Sequence, residues 1–242
     1  MDITKQDVIS RYHNGDSTET IASLAGVSSR YIRQVLSEAG VAIRHRTKYS
    51  VNESFFSEWS SEMVYVLGFV VTDGCISKNT LSIAQRDPEI LRRISEAMSS
   101  NIPINERTHN GNPISKLDIS RKAIVRDLAS LGVMERKSLT YAMPSIPGEY
   151  LPHFLRGIID GDGWVHPKGY TMTITTGSAV FADQLAQVFE HNGYNVRVHK
   201  NSGAYRITVS GKDDIARLGR WLYDDCGVLF IERKRERFER RR

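Results

Sequence analysis

Two apolar segments of the chain, 63–74 and 152–163, end on the same chemistry. The first closes on Val71-Thr72-Asp73-Gly74 and the second on Asp160-Gly161-Asp162-Gly163. One Asp-Gly after a helix is an ordinary C-terminal turn. Two of them, in the same place of a repeat, are a candidate pair. Carboxylates held close repel one another, and a divalent cation relieves that repulsion while creating a hydrolytic centre. Asp73 and Asp162 are therefore the candidate metal-binding acids. An EF-hand loop starting at Asp160 does not fit, because its glycine position falls on Val165 and its closing glutamate position on Thr171.

Such a pair needs two helices that meet at their ends. Both segments carry small residues four apart, Gly68/Thr72 and Gly157/Gly161, so each predicted helix offers a groove where another backbone can approach closely. Packing through those faces would bring Asp73 and Asp162 together at the end of the seam. Thr72 is larger than glycine and is expected to widen the seam locally. Arg156, a charge inside the second segment, is expected to face away from it. Val71 stands where the second segment has Asp160 and is expected to be harmless.

The segments belong to an internal repeat covering 61–234. Each is followed by a hairpin, 75–77 with 80–85 and 164–166 with 170–175. Each hairpin leads to an amphipathic helix, 88–98 (Ile90, Leu91, Ile94, Met98) and 179–189 (Phe181, Leu185, Val188). Two strands follow in each half, marked by Ile102, Ile104, Leu117 and Ile119, and by Val196, Val198, Tyr205, Ile207 and Val209. Third helices over 122–131 and 213–221 precede Gly132-Val133…Arg136-Lys137 and Gly227-Val228…Arg233-Lys234. The order helix, two strands, helix, two strands, helix is thus written twice.

Ahead of the repeat, 5–41 reads as a small helical unit. Ile9 and Tyr12 share a helix face, Ser17 can cap the next helix with Ile21, Ala22 and Leu24, and Gly26 interrupts before Ile32, Val35 and Leu36. Between 42 and 60 the periodicity is lost and Arg44, His45, Arg46 and Lys48 cluster, predicting a basic linker. The chain carries 33 Lys+Arg against 28 Asp+Glu, a formal net charge of +5. The last eleven residues hold seven basic and three acidic side chains, which favours either a polyphosphate partner or a solvated, frayed terminus. Two cysteines, Cys75 and Cys226, are too few for a disulfide framework. The polar first twenty residues and the lack of a long apolar run predict a cytoplasmic protein without a membrane span.

The string TETIASLAGVSSRYIRQVL resembles the helix-turn-helix of resolvase-like DNA-binding domains. That resemblance puts Ser29, Arg30, Arg33 and Gln34 toward DNA; the basic linker, with Arg44, Arg46 and Lys48, either tracks phosphates or a minor groove or is a flexible connector with solubilising charge. VLGFVVTDG and LRGIIDGDG resemble the two motifs of a single-chain LAGLIDADG homing endonuclease, over residues 61 to about 238.

The resemblance implies an α+β fold. Two pseudo-symmetric αββαββα repeats, 61–147 and 148–242, would form a DNA-binding saddle, with a helix-turn-helix domain at 1–41 and the linker at 42–60. It implies double-strand cleavage of a long asymmetric DNA site by a monomer. The cofactor would be Mg2+, with Mn2+ as a substitute and Ca2+ supporting binding without cleavage. Asp73 and Asp162 would be catalytic metal ligands with Gly74 and Gly163 beside them, and Lys137 and Lys234 would be catalytic cations that stabilise the phosphate or order water. Strand alternation leaves Lys116, Arg197, His199, Arg206 and Thr208 for the DNA face. A regulator that kept the fold without catalysis and an RNA maturase are the competing functions. An intein is not expected from the terminal residues.

Overall fold

Three capped helices open the chain in the computed structural model, which describes residues 3–43, 48–109 and 111–240. Helix α1 (Lys5–His13) begins at Thr4, whose hydroxyl and backbone N–H exchange hydrogen bonds with Asp7. Helix α2 (Thr18–Ala25) begins at Ser17 and α3 (Ser29–Glu38) at Ser28, each hydroxyl accepting a backbone N–H three residues on. Gly26, at φ 67°, ends α2 in the left-handed region that glycine tolerates. Val8, Tyr12, Ile21, Ala22, Ile32, Val35 and Leu36 form a core of their own. Val8, one turn from Tyr12, takes the fully buried place expected of Ile9.

The chain divides into Met1–Lys48 and Tyr49–Arg242. The linker expected over 42–60 is therefore shorter. From Tyr49 the chain folds with the second unit: Asn52 N–H donates to the Met98 carbonyl at 2.9 Å, and Phe55 and Phe56 are buried in its core. Two aromatic anchors do this burying without any helical period, so the sequence reads as linker. Arg44 and Arg46 lie outside the described residues, as do Arg241 and Arg242.

The second unit is the repeat. Its first half runs α4 (Ser61–Asp73), β1 (Gly74–Ser77), β2 (Thr80–Gln85), α5 (Pro88–Ala97), β3 (Asn105–His109), β4 (Asn112–Ser120) and α6 (Lys122–Ser130). The second runs α7 (Leu151–Asp162), β5 (Trp164–Val165), β6 (Thr171–Thr176), α8 (Ala179–His191), β7 (Val196–Asn201), β8 (Ala204–Ser210) and α9 (Lys212–Tyr223). Each half makes a four-stranded antiparallel sheet, in the orders β1-β2-β4-β3 and β5-β6-β8-β7. The fold is α+β, as expected. Strand β3 starts after Ile104, so Ile102 and Ile104 pack half-buried on the core from the preceding loop.

Register repeats with the pattern. Leu81 faces Ile119 and Ile83 faces Leu117 in one sheet; Met172 faces Val209 and Ile174 faces Ile207 in the other. All eight side chains are buried, which fixes the alternate residues on the outer face. A tenth helix, α10 (Glu232–Glu239), follows α9. Phe238 is buried against Gly219, where a Cβ would come within 2.9 Å of the Phe238 Cβ. Through residue 240 the basic tail is therefore folded rather than frayed. Among the described residues no helix is long and apolar enough to cross a membrane.

Candidate functional site

Helices α4 and α7 meet through their small residues. A Cβ on Gly68 would collide with the Phe154 carbonyl oxygen, and one on Gly157 with the Tyr65 carbonyl oxygen, so backbone lies directly on backbone. One turn later a Cβ on Gly161 would collide with the Thr72 hydroxyl. Thr72 is accommodated because Gly161 lies opposite it, and its hydroxyl donates back to the Phe69 carbonyl at 2.9 Å. Glycine on one helix thus offsets the larger residue on the other.

The seam brings the two acids together. A Cβ on Gly161 would sit 2.7 Å from Asp73 Oδ2, placing that carboxylate against the turn that carries Asp162. Gln85, at the end of β2, donates to Asp73 Oδ2 at 2.8 Å. Burial, reinforced by the Asp162 charge, raises the Asp73 pKa from 3.8 to about 6. Asp73 also lines a cavity of about 590 Å³ with Ala84, Gln85, Arg86, Asp87, Ile114 and Arg233. Ala84 and Ile114 belong to the outer face of the first sheet, so the carboxylate opens onto that face.

The two lysines are buried, Lys137 at 7% and Lys234 at 3% exposure. Lys137 Nζ donates to the Gly74 carbonyl, and Lys234 Nζ to the carbonyls of Ile159 (2.6 Å), Asp160 (2.6 Å) and Gly161 (3.0 Å). Each ammonium therefore caps the C-terminal end of a seam helix, where free carbonyls and the helix dipole favour a cation. Desolvation lowers both pKa values, Lys234 to about 8, while Cys75, Asp73 and Asp162 oppose it at Lys137 and Asp160 opposes it most at Lys234. The Gly74 carbonyl, at the end of α4, accepts from the Lys137 ammonium. Gly163 is buried, its N–H donating to the Ile159 carbonyl at 3.0 Å.

Arg156 corrects the sequence reading. It is 1% exposed and stacks its guanidinium on the Tyr65 ring of α4, 5.1 Å from the centroid. Nε donates to the Leu229 carbonyl (2.9 Å), Nη1 to that of Leu222 (2.7 Å) and Nη2 to that of Cys226 (3.3 Å). Asp160 is also buried, accepting from Tyr65 Oη (2.9 Å), Tyr223 Oη (3.1 Å) and the Ile231 N–H (2.9 Å), with its pKa raised to about 6 by burial. Arg156, Asp160 and Lys234 thus tie the segment after α9 to α7. Val71 leaves α4 without this acid. Arg156 was expected only to face away from the seam; packing is what shows both it and Asp160 to be buried.

Of the side chains expected to meet DNA, Arg197, His199 and Arg206 are exposed on the second sheet and Thr208 is half-buried, in rows Arg197–Thr208–Thr173 and His199–Arg206–Thr175. Lys116 pairs with Asp118 at 2.9 Å on the first sheet. In the N-terminal unit Arg30, Arg33 and Gln34 are exposed and Ser29 half-buried; Arg33 pairs with Glu19 at 3.3 Å and Gln34 donates to Glu38 at 2.9 Å. Gln85, Asp160, Arg156 and Arg233 were missed in sequence. Asp160 and Arg156 carried a signal there, as charges inside an apolar helix.

Residues 149–220 match the LAGLIDADG-like domain family. The stretch holds α7 with Asp162 and the whole second sheet. The solved structure of the homing endonuclease I-WcaI bound to its DNA recognition sequence is similar, with a TM-score of 0.51 at 14% identity, covering 83% of this chain and 96% of that one. The LAGLIDADG meganuclease I-AabMI bound to uncleaved DNA gives 0.50 at 12% identity, covering 73% and 87%. Full-length DUF199/WhiA from Thermatoga maritima gives 0.50 at 16%, covering 78% and 63%. At these identities the likeness establishes the LAGLIDADG-like fold. Among curated proteins, the B subunit of the A-type ATP synthase of Methanopyrus kandleri is 25% identical over 155 residues, and the A subunit from Pyrococcus abyssi 26% over 163. Each alignment covers 63% of this chain but only 15% and 16% of those relatives.

Proposed function

We propose that the protein is a site-specific DNA endonuclease that cuts both strands with a divalent metal. What supports this reading is the seam of α4 and α7, which sets the Asp73 carboxylate against the turn that carries Asp162, where each helix runs into its own sheet. The fit of a metal rests on donor chemistry. Two carboxylates, one destabilised by burial and by the other, suit a hard cation such as Mg2+ or Mn2+. Among the described residues no cluster of three or more acidic, His or Cys side chains gathers, so water and substrate phosphates would complete the shell. A bound cation there would lower the pKa of water and offset phosphate charge.

On this reading Asp73 and Asp162 hold the cation, Gln85 orients Asp73, and Lys137 and Lys234 fix the helix ends rather than touch the phosphate. Arg197, His199, Arg206, Thr208 and Lys116 face a long asymmetric duplex site, and Ser29, Arg30, Arg33 and Gln34 add contacts as a helix-turn-helix. One chain supplies both halves, so the protein works as a monomer. A second reading, a DNA-binding regulator on the same fold, draws on the two ammoniums being engaged with carbonyls. Cleavage of a randomised duplex library in Mg2+ or Mn2+ separates the two. Asp162→Asn should abolish double-strand cleavage while binding persists in Ca2+; wild-type cleavage by that variant would overturn the assignment.

A further inference from the structure

The aromatic surface beside Asp162 has no part in the chemistry proposed above. Trp164 stands two residues after Asp162 on β5 and is 50% exposed, while its neighbour Val165 is fully buried. The indole therefore lies on the outer face of the second sheet. Its ring meets His166 edge-on at 5.5 Å between centroids, and His166 meets Tyr170, itself 46% exposed, at 5.5 Å. The hairpin beneath is held by α10: Arg237 Nη1 donates to the Val165 carbonyl at 2.7 Å and Arg240 Nη1 to that of Pro167 at 2.5 Å. An exposed indole on a pinned hairpin loses little freedom when it binds, which favours a recognition role.

The occupant follows from the neighbours. Trp164 pairs with Thr173, Thr173 with Thr208 and Thr208 with Arg197, so the indole heads a row that ends on an exposed cation. The matching row of the first sheet is Cys75, Ser82 and Asp118, which has no ring and ends on a carboxylate neutralised by Lys116 at 2.9 Å. A flat apolar face, a cation in the same row and an adjacent metal-binding acid match a nucleobase next to a phosphate.

We infer that Trp164, backed by His166 and Tyr170, is a stacking wedge for an opened base beside the phosphate addressed by Asp162, present in one half of the protein only. The inference rests on the DNA reading above. An aromatic face stacks on any base, so the wedge favours strand opening rather than a particular sequence.

The test uses the full chain and two probes: a mixed-sequence duplex, and the same duplex with a central unpaired stretch, titrated in Ca2+ at low salt. The wild type should bind the unpaired probe more tightly. Trp164→Ala should lose that preference, weakening the unpaired probe roughly ten-fold, while Trp164→Phe keeps most of it. Arg197→Ala should weaken both probes alike. With Trp59→Phe and Trp221→Phe leaving one indole, the unpaired probe should quench the remaining fluorescence more than the intact duplex does, and equal quenching would overturn the wedge. Equal binding of the two probes by the wild type, or an unchanged preference in Trp164→Ala, overturns the wedge while leaving the DNA reading intact. Failure of the wild type to bind either probe overturns both.

Discussion

Replacing Arg156 by methionine tests how the second half is held together. Methionine fills much of the same volume but offers no donor, so the carbonyls of Leu222, Cys226 and Leu229 lose their guanidinium partner. The Leu222 carbonyl belongs to the last turn of α9 and has no partner within its helix. Each orphaned buried acceptor costs about 1–3 kcal/mol. A cavity of about 150 Å³ beside Arg156, lined by Ser61, Glu62 and Asp225 among others, gives water a route to part of this cluster. That selects the low end of the range, roughly 3 kcal/mol in all. Removing a desolvated cation returns some energy, but buried pairs broken on one side only are net losses. All three tryptophans, Trp59, Trp164 and Trp221, lie in the second unit, so tryptophan fluorescence in urea reports its unfolding alone. Arg156→Met should lower the unfolding free energy by about 3 kcal/mol at an unchanged slope, with Arg156→Lys intermediate. A loss below about 1 kcal/mol would show that the carbonyls are satisfied elsewhere and refute the argument.

Gly157→Ala should destabilise the second unit by at least ~1–3 kcal/mol, because rigid backbone at Tyr65 opposes the new methyl; a neutral result in the same urea assay would mean the seam can open freely. Asp73 holds its proton more tightly when folded, with a pKa of about 6 against 3.8. Metal-free wild type should therefore lose stability relative to Asp73→Asn as pH rises from about 4 to 6, and Mg2+ should recover it above that window; parallel pH curves for the two proteins would contradict the burial of this carboxylate. A chain beginning at Lys48 keeps the Tyr49 carbonyl that accepts from Arg121 and the Ser50–Asn101 bonds. It should fold, bind DNA with a shorter footprint and a salt slope shallower by about 0.9 for each phosphate no longer engaged, and cut the same phosphates; an unchanged footprint would separate the N-terminal unit from this DNA.

Much of this was legible from sequence, for definite reasons. The αββαββα order was readable twice because strands of period two and helices of period 3.6 alternate in the same sequence, and each half repeats the other. The glycine spacing on the motif helices pointed to the seam because only a missing Cβ lets two backbones touch. The same local logic located the cap at Ser17. Other features depended on partners far away in the chain. Phe55 and Phe56 look like linker residues until a core surrounds them. Arg156 reads only as a charge turned from the seam until the carbonyls of 222, 226 and 229 converge on it, some seventy residues later. Lys137 and Lys234 were located by resemblance and by their repeat, yet what they touch was decided by two helix ends whose carbonyls accept from them. Composition and spacing act over a few residues. Which charges are desolvated, and against what, is set only when the whole chain has closed around them.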